Sequence, residues 1–199
     1  VRLHTVFCGT APLPIKIRNE WLDTFGVPLQ ESYGTSELML VSVQSREQAI
    51  EGHNVGSLLP GIEASSGDGG ELVICSPFSR HGQHTGDIGE YKDSRLTITG
   101  RIKDLIKRGG VAVSPVRIEE AVRKVSGVSE AAAIGQPDDF WVEKTVVFSE
   151  GGDVATIREY CRDNLPKSHW PDVIEIVDKL PRNAMGKVIK GELKSRLAI

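Results

Sequence analysis

PLPIKIRNEWLDTFGVPLQESYG, residues 12 to 34, decides how the first part of this chain folds. Ile15, Ile17, Trp21, Leu22 and Phe25 recur at helical spacing, and Gly26 closes the pattern. VPLQESYG (27–34) then returns as a strand, and residues 2 to 8 ahead of the helix read as a buried strand. Strand, helix and strand in that order predict a β–α–β unit with parallel pairing over residues 1–38.

Downstream the signals shorten. LMLVSV, GSLLPG, GELVICS, IGEYKD and RLTITG are brief strands split by Gly, Asp and Ser, and EASSGDGG (63–70) reads as a turn or loop. Residues 39–101 therefore form a small, mostly antiparallel β subdomain. The character changes again near residue 101. DLIKRGGVAVSP reads as a hairpin turning at Gly109 and Gly110, and PVRIEEAVRKV as a helix with Pro115 in its first turn. Strands over VSEAAAIGQP, KTVVFSE and DVIEIVDKL, with helices over VATIREYCRDNL and VIKGELKSRL, complete an α+β unit. The fold class is thus α/β followed by α+β, with the boundary between Arg101 and Lys103 and domains at 1–101 and 102–199.

The 199 residues carry 26% charged and 39% hydrophobic side chains, a globular profile. A net charge of −3 argues against a nucleic-acid binder, and no apolar run reaches the ~20 residues of a membrane span. Cys8, Cys75 and Cys161 are odd in number and far apart, which fits neither a disulfide framework nor a zinc ribbon and points to a reducing cytoplasm. The chain opens on Val1 with what reads as an interior strand, so a trimmed or fragmentary chain is expected.

Five motifs invite a chemical reading, and four of them sustain one. In YGTSE (33–37) a hydroxyl and a carboxylate two residues apart suit a phosphate and its Mg²⁺; equally, Thr35 could cap a helix with Glu37 in its first turn. In HTGDIGEY, Asp87 is expected in a tight turn, where a carboxylate can accept from two neighbouring ribose hydroxyls, although Thr-Gly-Asp is also ordinary turn chemistry. HGQH (81–84) lacks a third metal ligand nearby. Arg101, Lys103, Lys107 and Arg108 beside a Gly-rich turn suit a polyphosphate, or simply a solvated basic edge. PRNAMGKVIK (181–190) sets Lys187 on a turn rather than mid-helix, because Pro181, Asn183 and Gly186 break regular structure.

Taken in order, CGTAPLP, YGTSE, GELVICSP, HTGD, GRIKDLIKRGG and PRNAMGK resemble the adenylate-forming superfamily over essentially the whole chain. That superfamily includes acyl- and aryl-CoA synthetases, luciferases and adenylation domains, and the AMP-forming acid–CoA ligases are the nearest branch. The resemblance implies the C-terminal part of the large AMP-binding domain, followed by the small mobile C-terminal domain. It also implies two half-reactions: a carboxylate attacks the α-phosphate of ATP, then a thiol attacks the acyl adenylate.

By match to the family motifs, Gly9, Thr10 and Ala11 line the adenine and acyl pocket, with Tyr33 and Gly34 also on the nucleotide side. Thr35 holds the α-phosphate and Glu37 serves the Mg²⁺. Asp87 and Arg101 hold the ribose. Lys187 bridges acyl carboxylate and phosphate during adenylation. Lys103 is the hinge, about which rotation would exchange Lys187 for the Lys107–Gly110 loop, whose Gly109 and Gly110 leave room for a pantetheine thiol. The implied ligands are ATP/AMP, Mg²⁺, CoA and a carboxylic acid.

Two departures qualify the match. No Ser/Thr/Gly-rich phosphate loop ending in Lys precedes CGTAPLP, so the upstream domain is expected on the same or another chain and this chain alone is expected to be inactive. The stretch between GELVICSP and HTGD is also short. An acyl carrier protein as acceptor, or a non-catalytic nucleotide- or CoA-binding module, are the alternatives.

Overall fold

Val6–Cys8 (β1) and Leu29–Thr35 (β2) pair in parallel across helix Ile15–Phe25 (α1), with Val6 opposite Leu29, as the β–α–β pattern predicts. The computed structural model describes residues 3–9, 12–184 and 186–197. Thr10 and Ala11 lie outside the described residues. The chain divides after Ile98 into two units, each with its own core.

In the first unit β2 turns back antiparallel into Met39–Val43 (β3), followed by helix Arg46–Glu51 (α2) and Ser57–Leu58 (β4); one sheet runs β1-β2-β3-β4. A second sheet is built in simple sequence order from Glu63–Ser66 (β5), Glu71–Ser76 (β6), Ser79–Lys92 (β7) and Arg95–Arg101 (β8). Leu38 from the β2–β3 turn and Val41 from β3 pack with Leu72, Ile74 and Leu96 from the second sheet, so one buried cluster joins the two.

Three sequence expectations change here. EASSGDGG is not a loop, because its first half is the edge strand β5. An unexpected helix, α2, interrupts the β subdomain after a capping box in which Ser45 and Gln48 satisfy each other's backbone amides, a signal carried by SREQ. The apolar residues of α1 do not form its buried face: Ile15, Ile17 and Phe25 stand about half exposed, while the buried residue of the helix is Arg18. Arg18 goes inward because a buried carboxylate, Glu31 on β2, receives it.

The second unit is a five-stranded sheet with helices on both faces. Ile106–Arg108 (β9) and Val111–Val113 (β10) form the hairpin, and Val128–Asp138 (β11) and Val142–Gly151 (β12) a longer one. Val173–Val177 (β13) joins β12 in parallel after the crossover helix Val154–Asn164 (α4). Alternate residues of β11 and β12 face opposite ways. Ala131, Ala133 and Val147 pack with helix Pro115–Arg123 (α3) and α4, whereas Ala132, Ile134, Val146 and Phe148 pack with helix Lys190–Arg196 (α5). A sheet covered on both faces explains the unbroken apolar runs AAAI and TVVF. Among the described residues no helix is long and apolar enough to cross a membrane.

Candidate functional site

Unit one gathers Tyr33, Gly34, Thr35, Glu37 and Asp87 around the β2–β3 connection and the middle of β7. Asp87 is not in a turn between strands, as the sequence suggested, but inside the long strand β7, 2% exposed. It sits on a bulge, since three residues of β7 (85–87) face only Leu72 of β6 between the pairs Glu71–Ile88 and Val73–His84. The Thr85 hydroxyl donates to the Leu72 carbonyl, and Glu71 accepts the Gly86 amide at 2.9 Å. The Tyr33 hydroxyl donates to Asp87 Oδ2 at 2.7 Å, across 54 positions of sequence.

Thr35 caps no helix. Its hydroxyl oxygen accepts the Leu38 amide within the tight β2–β3 turn, 3.2 Å away. Gly34 makes this turn possible by close approach, because a Cβ there would lie 1.9 Å from the Met39 carbonyl oxygen. Glu37 is exposed, and its own backbone amide, then the Thr35 hydroxyl, hold its carboxyl below the usual carboxylate range. Gly9 ends β1 against Ser32.

Glu71 was not singled out from sequence. His84 first and the Gly86 amide second keep its carboxyl below the ordinary range, so it is ionised wherever it supports the bulge. A depressed folded-state value gives stabilisation that is complete above the ordinary glutamate value, ~4.3, and is lost as pH falls through the folded value. The Gly86 amide resonance is therefore expected to titrate in acid, following Glu71, and Glu71→Gln should abolish that titration. A Gly86 titration that survives the substitution would show that another group supports the bulge.

Unit two presents two loops. In the first, Gly109 (φ 54°) and Gly110 (φ 81°) form the two-residue turn that joins β9 to β10, a left-handed pair that only glycine adopts without strain. Lys107 is exposed beside it, and Lys103 is exposed on a short 3₁₀ turn, Ile102–Asp104. Arg101, also exposed, ends β8. Arg108 leaves the basic cluster. Its guanidinium donates to the Ser168 and Trp170 carbonyls at 3.1 Å, pairs with Asp172 and lies over the Trp141 ring, so it is structural.

The second loop carries Lys187. Asn183 accepts the Lys187 amide on Oδ1 at 2.9 Å and donates its own amide to the Lys187 carbonyl, also at 2.9 Å. Arg182 bridges to Val188, and the Ile189 amide donates to Pro181. The Lys187 side chain is exposed at this closed turn and makes no ion pair among the described residues. A separate cavity of about 240 Å³, lined by Arg108, Arg158, Arg162, Lys167, Trp170 and Asp172, was not foreseen, because its cations come from separate elements.

Residues 117–187 match the AMP-binding enzyme C-terminal domain. Over 98% of its length the chain is 33% identical to a 2-succinylbenzoate–CoA ligase of Listeria monocytogenes and covers 46% of it. The corresponding figures for the mitochondrial malonate–CoA ligase of Mus musculus are 29% identity over 98% of the chain and 42% of the relative. ATP-bound MatB from Rhodopseudomonas palustris superposes with a TM-score of 0.83 at 27% identity, over 96% of this chain and 45% of that one.

The chain belongs to the adenylate-forming, AMP-binding superfamily, and what it matches there is the C-terminal portion of CoA ligases. It spans less than half the length of these relatives.

Proposed function

We propose that this chain is the C-terminal portion of an acid–thiol ligase that activates a carboxylic acid with ATP and passes the acyl group to CoA. The observation that carries this reading is the Lys187 turn, an exposed cation on a backbone closed by Asn183 and seated in the region that matches the family's C-terminal domain. In the first half-reaction the acid's carboxylate oxygen bonds to the α-phosphorus and pyrophosphate leaves. Lys187 offsets the negative charge of the two reacting anions, which is the main task of a protein in such chemistry. In the second, the thiol sulfur bonds to the acyl carbon, AMP leaves with the bond electrons, and the thiol gives up its proton.

The residues fit a nucleotide. A buried carboxylate held by the Tyr33 phenol suits a hydroxyl-bearing ring, so Asp87 is assigned to the ribose, together with Arg101. Thr35 is assigned to the α-phosphate. Glu37, ionised and exposed, suits a Mg²⁺ whose other ligands are phosphate oxygens and water. Lys103 is the proposed hinge, and the Gly109–Gly110 turn the place where a thin pantetheine arm passes. Arg158, Arg162 and Lys167 at the basic cavity suit the acceptor's phosphates. The half-exposed Phe7, Ile15, Ile17 and Phe25 support a further layer of the same enzyme over α1 and β1. A reducing cytoplasm remains the proposed location.

Acid-dependent ATP–pyrophosphate exchange tests the proposal, with this chain alone and with the upstream sequence restored. Exchange is expected only on restoration. Exchange by the chain alone would sink the claim that a separate phosphate loop is needed. Nucleotide binding without exchange in either form would favour a non-catalytic module. Offering the restored enzyme free CoA against a carrier's phosphopantetheine identifies the acceptor.

A further inference from the structure

Both stems of the Lys187 turn are tied to the sheet behind it by one continuous chain of alternating charges. On the first stem, Arg182 Nη1 donates to the Gly186 carbonyl at 2.8 Å, while Nη2 lies 3.6 Å from both Glu130 and Glu150. Those two carboxylates face each other across β11 and β12, a like-charge pair that is unfavourable without a cation between them. Glu150 also accepts the Leu180 amide at 2.7 Å, just ahead of the stem. Glu130 in turn holds Arg123 Nε at 2.6 Å, and Arg123 Nη2 lies 3.6 Å from Glu119.

Glu119 completes the circuit. It is 6% exposed, accepts the Ala133 amide at 2.9 Å, and pairs at 2.6 Å with Lys190, which opens α5 on the second stem. The order is therefore Glu150, Arg182, Glu130, Arg123, Glu119, Lys190. It runs from one end of the turn, through the sheet and α3, to the other. Every carboxylate in it is largely buried, so these pairs are less screened than surface ones.

We infer that this charge chain positions Lys187: Arg182 and Lys190 are clamped so that the intervening turn holds the ammonium at one place. The inference rests on the reading of Lys187 as the adenylation cation. Arg182, Glu130, Glu150, Glu119 and Lys190 are positioning residues. A displacement of about 1 Å at a reacting group costs up to ~10²-fold in rate, so a loosened clamp should be felt in the step that uses the lysine.

Two variants test it. Arg182→Gln breaks the first stem, and Glu119→Gln removes the charge at the second while keeping an acceptor for the Ala133 amide. In the 199-residue chain, both should speed amide hydrogen exchange at Gly186 and Lys187 and leave that of Val147 in the core unchanged. In the full-length enzyme, both should lower ATP–pyrophosphate exchange, up to roughly 10²-fold, and spare thioester formation from a preformed acyl adenylate. Arg182→Lys keeps a cation at the first stem and should restore part of the loss.

Lys187→Ala run in parallel separates the two failures. If it is selective for adenylation but the clamp variants slow both half-reactions equally, or neither, the positioning role is wrong and the Lys187 reading stands. If Lys187→Ala is itself unselective, that reading fails. Hydrogen exchange alone then decides whether the charge chain holds the turn, and unchanged exchange in both variants overturns it.

Discussion

Replacing Lys187 by alanine is expected to lower acid-dependent ATP–pyrophosphate exchange in the full-length enzyme by roughly 10²- to 10³-fold, the usual loss when one preorganised charge-stabilising donor is removed. The turn itself should survive. Its backbone is closed by Asn183, by the Arg182 guanidinium on the Gly186 carbonyl and by the Ile189 amide on Pro181, none of which involves the lysine side chain. The ammonium is exposed and makes no ion pair among the described residues, so stability should change by no more than ~0.5 kcal/mol. Thioester formation from a preformed acyl adenylate should proceed nearly as before, because no carboxylate then needs to approach a phosphate. Measuring the two half-reactions separately, beside thermal unfolding, checks all three statements. Equal loss in both halves would remove Lys187 from the adenylation step.

Glu31→Ala should have the largest effect on stability. Glu31 is 6% exposed and receives Arg18 Nη2 at 2.6 Å and the Leu13 amide at 2.9 Å. Arg18 is equally buried, its Nε has no hydrogen-bond partner among the described residues, and Glu31 is its ion-pair partner. Removing one member of a buried pair leaves an uncompensated charge, which costs about 3–5 kcal/mol. Urea unfolding of the first unit should show that loss, while the second unit's transition stays in place. Arg18→Met with Glu31→Leu should recover most of it, since replacing both charges with apolar groups is often close to neutral. A double variant as unstable as Glu31→Ala would mean that the Leu13 amide, not the charge, is what Glu31 serves.

Much of the fold was legible because it is local. Gly26 ends α1 in a left-handed conformation, Pro115 opens α3, and Gly109 with Gly110 turns the hairpin, each where a single residue's backbone preference decides the geometry. β11 and β12 were legible as strands, whereas their burial on both faces emerged only with α3, α4 and α5 in place. The candidate site was legible for a different reason: its motifs occur in order, and that order resembles one superfamily. What misled was any side chain whose partner is distant in sequence. Arg108 read as part of a phosphate-binding cluster or of a solvated basic edge, yet its partners are near residue 170, about sixty positions away. Asp87 read as a turn residue, yet a bulge supported by Glu71 holds it inside a strand.

By itself, then, the sequence determined where the chain turns, where many of its strands and helices lie, and which superfamily its motifs match. Backbone preference and apolar periodicity act between neighbours and need no knowledge of the final shape. Only the tertiary structure decided that Arg18 is buried and Ile15 exposed, that Tyr33 meets Asp87, and that Arg182 and Lys190 share one chain of charges through Glu130, Arg123 and Glu119. Charge pairing is set by distance in space, and those distances exist only once the sheets have formed.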